Sequence, residues 1–131
     1  MVGTPTQDQW LLTLKLTGLG RLGEALAEID GKAVYVFGGI PGETVVAEVI
    51  RERRGYFAAQ VVEVLKASPH RVEPPCQYFG ACTGCQFQHI SYERQLQIKR
   101  EAVADALVRI GELNGGIVGE TLPSPQPLGY R

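Results

Sequence analysis

The sequence predicts a mainly β protein, in which a small five-stranded barrel is followed by a cysteine-bearing loop and one α-helix. Five short segments rich in alternating or β-branched apolar residues lie between about residues 9 and 66, with glycine-containing breaks between them. All three cysteines of the 131-residue chain lie between residues 76 and 85. A single segment with helical periodicity follows them. These observations place the strands before the loop and the helix after it.

The composition is that of a soluble globular protein, with 44% hydrophobic and 21% charged residues. No apolar run approaches the roughly 20 residues that a membrane span needs, and residues 1–10 lack the basic and apolar segments of a signal peptide. We therefore expect a cytoplasmic protein with reduced thiols and no membrane contact. The formal net charge of −1 gives nucleic-acid binding no support on its own. Any such binding must come from a local cluster of cations.

The five strands are identified by side-chain alternation and by the turns between them. In the first strand, Leu12, Leu14 and Leu16 alternate with more polar positions. In the second, the small residues are expected to face inward and Glu24 outward. Asp30-Gly31 is a strong hairpin signal, because glycine supplies the positive φ that a two-residue turn requires. The predicted strands are Gln9–Thr17, Glu24–Asp30, Lys32–Gly38, Thr44–Arg53 and Phe57–Lys66.

These strands are expected to close into a small barrel of the OB type, since a flat sheet would leave long apolar edges exposed. Small residues suit a narrow barrel interior, and four alanines occupy candidate inward positions: Ala25, Ala27, Ala47 and Ala59. Residues 18–23 also match the G-x-G-x-x-G pattern of dinucleotide-binding proteins. That function is rejected, because the glycines precede a predicted strand and offer no helix N-terminus to a pyrophosphate.

Three thiols are gathered at Cys76, Cys82 and Cys85, with the spacing C-x5-C-x2-C. Thiolates bind soft metal centres, and a C-x2-C turn lets two sulfurs face one ion or cluster. Neighbouring prolines and glycines favour the tight irregular loop that metal-binding cysteines require. The spacing therefore predicts a metal or iron–sulfur site in this loop.

The segment from residue 76 to residue 89 resembles the iron–sulfur loop of the RNA (uracil-5-)-methyltransferases, which methylate uridine in ribosomal and transfer RNA. Thr83 stands where that family usually has a glycine, and the flanking segments Arg71–Cys76 and Ser91–Leu96 also resemble the family. The similarity extends from about residue 10 to residue 131. The matching loop residues are Cys76, Cys82, Gly84, Cys85, Gln88 and His89.

The resemblance implies that the barrel is a TRAM domain, and that the chain is the N-terminal portion of an enzyme of the 23S ribosomal RNA methyltransferase type. It implies a 4Fe-4S cluster held by Cys76, Cys82 and Cys85, with a fourth ligand outside this chain. The catalytic cysteine, the base and the S-adenosylmethionine pocket lie downstream in the family, so no catalytic residue is expected here. S-adenosylmethionine is then a cofactor of the parent enzyme alone, in rRNA processing.

Two other functions are compatible with parts of the sequence. Cys76, Cys82, Cys85 and His89 form a C-x5-C-x2-C-x3-H set, and three cysteines with one histidine can hold structural zinc. The chain would then be a stand-alone RNA-binding module. A redox protein unrelated to RNA is disfavoured by the barrel and by the absence of a fourth cysteine.

The case for RNA binding depends on one strand–turn–strand junction. Arg51, Arg53 and Arg54 precede Tyr56 there, and together they supply the residue types that contact phosphates and stack on bases. OB-type barrels bind oligonucleotides on one face and its loops. The predicted partner is ribosomal or transfer RNA, and no protein partner is predicted.

Two further cations, Lys15 and Arg21, are expected to extend this patch. The competing interpretation is a solvated strand edge whose arginines are offset by Glu48 and Glu52. The sequence leaves both interpretations open, because it does not show which way the arginine side chains point.

The residues after the cysteines predict one helix and a linker. Ser91 is a suitable N-cap, helical periodicity extends from about Tyr92 to Ile110, and Gly111 fits the position after the helix. The expected organisation is a leader at 1–8, the barrel at 9–68, the cysteine loop at 69–90, the helix at 91–111 and a linker at 112–131. The linker is expected to lead to a methyltransferase domain outside this chain.

Overall fold

A computed structural model describes residues 10–20, 22–82 and 84–130 of the chain. The chain divides into two compact units between His89 and Ile90. The predicted leader and the candidate RNA-binding residue Arg21 lie outside the described residues, as does Thr83 of the cysteine loop.

The first unit is a single six-stranded sheet with the strand order β1-β5-β6-β4-β3-β2. Among the strands that the structure describes, β4 and β6 pair in parallel and all other neighbours are antiparallel. The predicted mainly β class, with one following helix, is confirmed. The strands are β1 (Leu11–Lys15), β2 (Gly18–Leu19), β3 (Ala25–Ile29), β4 (Lys32–Phe37), β5 (Thr44–Arg53) and β6 (Tyr56–Lys66).

The sixth strand arises because the predicted first strand is divided between two partners. β1 pairs with β5, whereas β2 pairs with β3. Between them, the backbone N–H of Leu16 donates to Glu43 at 2.9 Å and that of Thr17 donates to Leu26 at 2.8 Å. The two edge strands of the sheet are thus successive pieces of one short segment. The sheet must curl on itself for that segment to reach both neighbours, as expected for an OB-type barrel.

The core lies on the concave side of this sheet and is made of small and β-branched residues. All four alanines predicted for a narrow interior are buried there, which confirms that expectation. Phe57, Val61 and Val64 of β6 pack against the core as partly buried residues. The buried cluster consists of Leu14, Leu16, Ala25, Ala27, Val34, Val36, Val45, Ala47 and Ala59.

The hairpin between β3 and β4 is built as predicted, since Asp30 and Gly31 have φ values of 50° and 76° and Ile29 pairs with Lys32. The orientation predicted for Glu24 is wrong. Its side chain is buried, and its carboxylate accepts a hydrogen bond from the backbone N–H of Leu22 at 3.2 Å. Glu24 precedes β3 and belongs to the glycine-rich turn, so strand alternation does not apply to it.

The second unit contains α1 (Tyr92–Arg109) and a short 3-10 helix, Gly115–Ile117, that the sequence analysis did not predict. Ser91 caps α1 as expected, with its hydroxyl accepting from the backbone N–H of Arg94 at 3.4 Å. The left-handed residue after the helix is Glu112, at φ 53°, rather than Gly111. Within the described part of the chain, no helix combines the length and apolar character needed to cross a membrane.

Candidate nucleic-acid interface and cysteine loop

The predicted cationic junction is the hairpin between β5 and β6. Arg54 and Gly55 form its turn, where Gly55 adopts φ 94°, and Arg53 pairs directly with Tyr56. A positive φ at this turn is available to glycine without the steric penalty that a side chain would bring. The local sequence therefore fixes the hairpin and leaves Arg53 and Arg54 exposed at its tip.

A β-bulge determines which way the β5 arginines point. Val45, Ala47 and Val49 are buried, so simple alternation would also aim Arg51 at the barrel interior. The register of β5 against β6 shifts between Val49 and Arg51, which inserts one extra residue at that point. Arg51 consequently lies opposite Ala58, on the face of the sheet away from the core.

The outward direction of Ala58 follows from its neighbours in β6. Ala59 is fully buried and Phe57 packs on the core, so Tyr56 and Ala58 must project from the opposite face. Since cross-strand partners share a face, Arg53 projects with Tyr56 and Arg51 with Ala58. The structure thus brings Arg51, Arg53 and Tyr56 together on one outer surface.

The carboxylates near these arginines do not neutralise them. Glu52 projects on the other face with Phe57, and its carboxylate lies 3.4 Å from the ammonium of Lys32. Among the described residues, none of the three arginines of this hairpin forms an ion pair with a carboxylate. Glu48, the other carboxylate of the solvated-edge interpretation, lies opposite Gln60 on the outer face, next to Arg51, but forms no ion pair with it. Among the described residues, the arginines are therefore not paired with Glu48 or Glu52.

Lys32 is a cation at this end of the barrel that sequence reasoning missed. Its ammonium lies 4.1 Å from the ring centroid of Phe57, in addition to its contact with Glu52. The contact arises because β4 and β6 are parallel neighbours although 18 residues separate the two strands in the chain. No local pattern in the sequence indicates that pairing.

Lys15 does not extend the cluster. It lies on β1 opposite Thr44, the first residue of β5, whereas Arg53 is the last residue of that strand. Nine residue steps of extended strand correspond to about 30 Å. Lys15 is exposed, but it belongs to the other end of the sheet.

The three cysteines lie on an irregular loop of the first unit. Cys76 is half-buried, Cys82 and Cys85 are exposed, and all three are free thiols. The loop is ordered by its own backbone and by one amide side chain, because the N–H of Cys76 donates to Oε1 of Gln88 at 3.1 Å and that of Cys82 donates to Tyr78 at 2.9 Å. Gly84 lies close to the Cys82 sulfur, such that a Cβ there would sit 3.5 Å from Sγ.

The chemistry of this donor set fits a soft metal centre, since cysteine sulfur is the ligand that such centres prefer and three cysteines lie on one loop. The geometry is not preformed. Across residues 10–20, 22–82 and 84–130, no three histidine, cysteine or acidic side chains converge on a common point. The loop thus carries three thiols that are not arranged around a common point.

His89 is engaged by the barrel, and the zinc alternative that uses it as a fourth ligand does not match this arrangement. The ring is buried, stacks on Phe79 at a centroid distance of 5.4 Å, and forms a hydrogen bond from Nε2 to the carbonyl oxygen of Gly39 at 2.9 Å. A carbonyl can only accept, so Nε2 carries the proton and Nδ1 is the unprotonated nitrogen. Nδ1 is buried and has no hydrogen-bond partner among the residues that the structure describes.

The environment of His89 keeps its ring neutral. Burial lowers the pKa of His89, and the positive charge of Arg71 acts in the same direction against the opposing effects of Gly39 and Glu43. Protonation would place a second N–H in a position where it finds no acceptor. His89 therefore serves as a structural hydrogen-bond donor between the loop and the Gly38–Glu43 turn.

A buried ion pair that sequence reasoning also missed connects the same two segments. Glu43 is fully buried and accepts from Arg71, from the N–H of Ser68 at 3.1 Å and from that of Ile40 at 2.8 Å. Burial alone would raise the pKa of Glu43, but these hydrogen bonds and the Arg71 charge outweigh it and hold the pKa below its usual range. Glu43 and Arg71 lie 28 positions apart, and no local pattern in the sequence indicates that they meet.

The curled sheet and its outward arginines define a small barrel of the class that binds oligonucleotides. The family model for the TRAM domain matches residues 11–62, which comprise β1 to β5 and the first half of β6. This part of the chain is a TRAM domain, and over most of its length the chain corresponds to the N-terminal part of the RNA methyltransferases.

Two relatives illustrate that correspondence. An uncharacterized RNA methyltransferase of Halalkalibacterium halodurans is 36% identical over 127 residues, covering 97% of this chain and 28% of the relative. The 23S rRNA (uracil(1939)-C(5))-methyltransferase of Halomonas elongata is 46% identical over 120 residues, covering 90% of this chain and 24% of the relative. The chain thus spans about a quarter of the length of these relatives.

A solved structure shows the same fold. The tRNA (uracil-54, C5)-methyltransferase of Pyrococcus abyssi, in complex with S-adenosyl-L-homocysteine, superposes with a TM-score of 0.53 at 23% sequence identity. The match covers 87% of this chain and 24% of that one. At this identity the likeness concerns the fold.

Proposed function

We propose that this chain is the RNA-binding and cluster-bearing N-terminal portion of an S-adenosylmethionine-dependent RNA (uracil-5-)-methyltransferase that acts on ribosomal RNA. The observation that carries the proposal is the bulge in β5, which turns Arg51 and Arg53 outward beside Tyr56, where neither forms an ion pair with any carboxylate that the structure describes. The similarity to a 23S rRNA methyltransferase at 46% identity supports ribosomal RNA as the substrate. An RNA-modifying function and three free thiols are consistent with a cytoplasmic location.

The length of the relatives suggests which part of the enzyme binds RNA and which part transfers the methyl group. We place methyl transfer from S-adenosylmethionine to C5 of uracil, after attack of a cysteine on C6, in the remainder of such an enzyme, because this chain covers 28% and 24% of the two relatives. The chain contributes binding, since phosphate contacts from arginines fix the position of an RNA strand without selecting its sequence. On its own it is expected to transfer no methyl group.

The cysteine loop is proposed to hold a 4Fe-4S cluster. Cys76, Cys82 and Cys85 would provide three thiolates, and the fourth ligand would come from outside this chain. The support is the donor chemistry and the accessibility of the thiols, together with the engagement of His89 by Gly39. When bound, such a cluster would fix the loop and connect it to the segment that supplies the fourth ligand.

The RNA-binding proposal is tested by a salt titration of the chain with single-stranded RNA. Replacing Arg53 and Arg54 with alanine removes two phosphate contacts, so the slope of log K against log salt should decrease by about 1.4. A matched double variant, Lys99→Ala with Arg109→Ala, removes two exposed charges from the second unit and should leave the slope unchanged. Equal slopes for the hairpin variant and the wild type, with the fold intact, would assign the arginines to a solvated edge.

A further inference from the structure

We propose that the outer face of β4, β6 and β5 carries a stacking site for one base of single-stranded RNA, with Ala58 as its floor, Tyr35 as its stacking ring and Arg51 as the adjoining phosphate contact. We call this arrangement the Ala58 shelf. It rests on the proposed RNA-binding function and deepens it, because it adds a base contact to the cationic cluster. Tyr35 lies 16 or more positions before the arginines and was not a candidate from the sequence.

Arg51, Ala58 and Tyr35 form one row across three neighbouring strands of the sheet. Ala58 is opposite Arg51 in β5 on one side and opposite Tyr35 in β4 on the other. All three lie on the outer face, since Val34 and Val36 flank Tyr35 and are completely buried. Two strand spacings separate Arg51 from Tyr35, which is about 10 Å. A methyl group between two long side chains leaves a gap in the surface at Ala58.

Two tyrosine rings border this gap. The rings of Tyr35 and Tyr56 lie 5.3 Å apart between centroids and are inclined at 74°. This edge-to-face contact holds the two rings at nearly a right angle and fixes the orientation of Tyr35, whose partly exposed ring is the surface on which we place the base. Both tyrosines are partly exposed, whereas the aromatic residue that belongs to the core at this end is Phe57.

The outer face also carries unpaired positive charge. Arg51 and Arg53 are on the same face as the tyrosines, and neither has a carboxylate partner among the described residues. Glu28 lies opposite Ala33 and Glu48 lies opposite Gln60, so acidic residues bound this region at the neighbouring rows. The positive surface is therefore narrow and lies along β5 next to the shelf.

These features together select single-stranded RNA as the occupant. A phosphate-bearing strand satisfies the arginines, and an unstacked base fills the gap over Ala58 and stacks on the tyrosine. In a duplex the bases are stacked on one another and do not reach such a shelf. An acidic polypeptide would satisfy the arginines but has no planar group for the gap.

The test measures the affinity of the whole chain for a short single-stranded RNA and for an abasic oligonucleotide of the same length. Tyr35→Leu removes the ring while keeping an apolar side chain, and Ala58→Val fills the floor with a residue suited to a strand. Each should raise Kd by about 5- to 150-fold for RNA, the range given by loss of one base–aromatic stack. Neither should change the salt slope or the binding of the abasic strand.

The controls separate loss of the shelf from loss of the fold. Tyr35→Phe keeps the ring and should bind RNA as the wild type does. Thr13→Val places the same side chain as Ala58→Val on an exposed position of β1, remote from the shelf, and should have no effect. Arg51→Ala should decrease the salt slope by about 0.7 for both the RNA and the abasic strand.

Three outcomes would overturn the shelf. The first is an unchanged Kd in Tyr35→Leu and Ala58→Val while the Arg53 and Arg54 double variant still loses affinity, which leaves RNA binding in place without a base site. The second is equal affinity of the wild type for RNA and for the abasic strand. The third is that polyglutamate displaces the bound RNA as effectively as unlabelled RNA does. Failure of the arginine variant as well would instead remove the proposed function.

Discussion

The buried carboxylate of Glu43 and the guanidinium of Arg71 form a bidentate ion pair. Nε of Arg71 donates to Oε2 at 2.7 Å, and Nη2 donates to Oε1 at 2.8 Å. Nη2 also donates to the carbonyl oxygen of Gly38 at 2.7 Å. Arg71 follows β6 and Glu43 precedes β5, so the pair attaches the start of the cysteine loop to the Gly38–Glu43 turn of the barrel. His89 attaches the end of the loop to the same turn through Gly39.

Arg71→Ala is expected to destabilise the first unit by about 3–5 kcal/mol, because it leaves the Glu43 carboxylate buried without its counter-charge. Arg71→Lys keeps the charge but loses the bidentate geometry, so its stability should lie between that of the wild type and that of Arg71→Ala. Denaturant unfolding followed by the fluorescence of Trp10 measures both. Arg109→Ala, which removes an exposed pair with Asp105, is the control and should leave the midpoint unchanged. An Arg71→Ala midpoint equal to that of the control would show that the buried pair contributes nothing.

The stability of the first unit should fall as the pH drops below about 6.5, the ordinary pKa of histidine from which that of His89 is lowered. Below that value the unfolded chain binds a proton at His89 that the folded chain does not, so protonation favours unfolding. Glu43 has a lowered pKa as well, so the stability from its ionised form is lost in a second step below its ordinary value of 4.5.

His89→Gln isolates the first of these two steps. The variant should be less stable than the wild type at pH 7.5, because the buried ring and its stacking on Phe79 are lost. Its stability should decline less between pH 6.5 and pH 5, the range in which the lowered pKa of His89 contributes. Denaturant midpoints measured at several pH values would contradict this assignment if the decline persisted unchanged in the variant.

Gly39→Ala should destabilise the barrel by about 1–3 kcal/mol through overpacking. A Cβ at this position would collide with Cδ1 of the buried Leu16 and would lie 3.6 Å from the Cβ of Ala25. Gly119→Ala is the matched control, because a Cβ there would meet no atom of the described residues within 4 Å apart from its chain neighbours, and its midpoint should equal that of the wild type. Thermal unfolding compares the two, and equal midpoints would mean that Leu16 can move aside at no cost.

Cys82→Ser should abolish the visible absorption and the bound iron of the full-length protein after anaerobic reconstitution. A serine hydroxyl does not replace a thiolate as a ligand of an iron–sulfur cluster under these conditions. Thr121→Ser, a conservative change outside the loop, is the control and should retain both the visible absorption and the bound iron. A colourless wild-type protein with stoichiometric zinc would contradict the cluster and would require His89 to leave its site on Gly39.

The strands and their faces could be predicted because each depends on neighbouring residues. The apolar alternation of the first segment, the Asp30-Gly31 turn and the inward alanines are local signals, and the structure confirms them. The spacing of the three cysteines is local as well. Glu24 was misplaced because it stands just before its strand, in a turn that follows other rules.

The candidate site was only partly predictable from the sequence. Arg51, Arg53 and Tyr56 were identified by type and proximity, but their shared outward face depends on the bulge after Val49. That bulge is a property of the pairing between β5 and β6 and not of either strand alone. Lys15 was placed with the arginines because sequence reasoning does not measure distance along a sheet.

The sequence by itself determined the mainly β class, the small-residue interior and the gathering of three thiols on one loop, since these follow from periodicity and short-range spacing. Only the tertiary structure decided that Glu43 meets Arg71, that His89 donates to Gly39, and that the parallel pairing of β4 with β6 places Tyr35 beside Ala58. Each of these contacts joins residues that are 20 or more positions apart. Contacts of this kind form when the sheet curls and its strands find their register, and no local pattern in the chain specifies them.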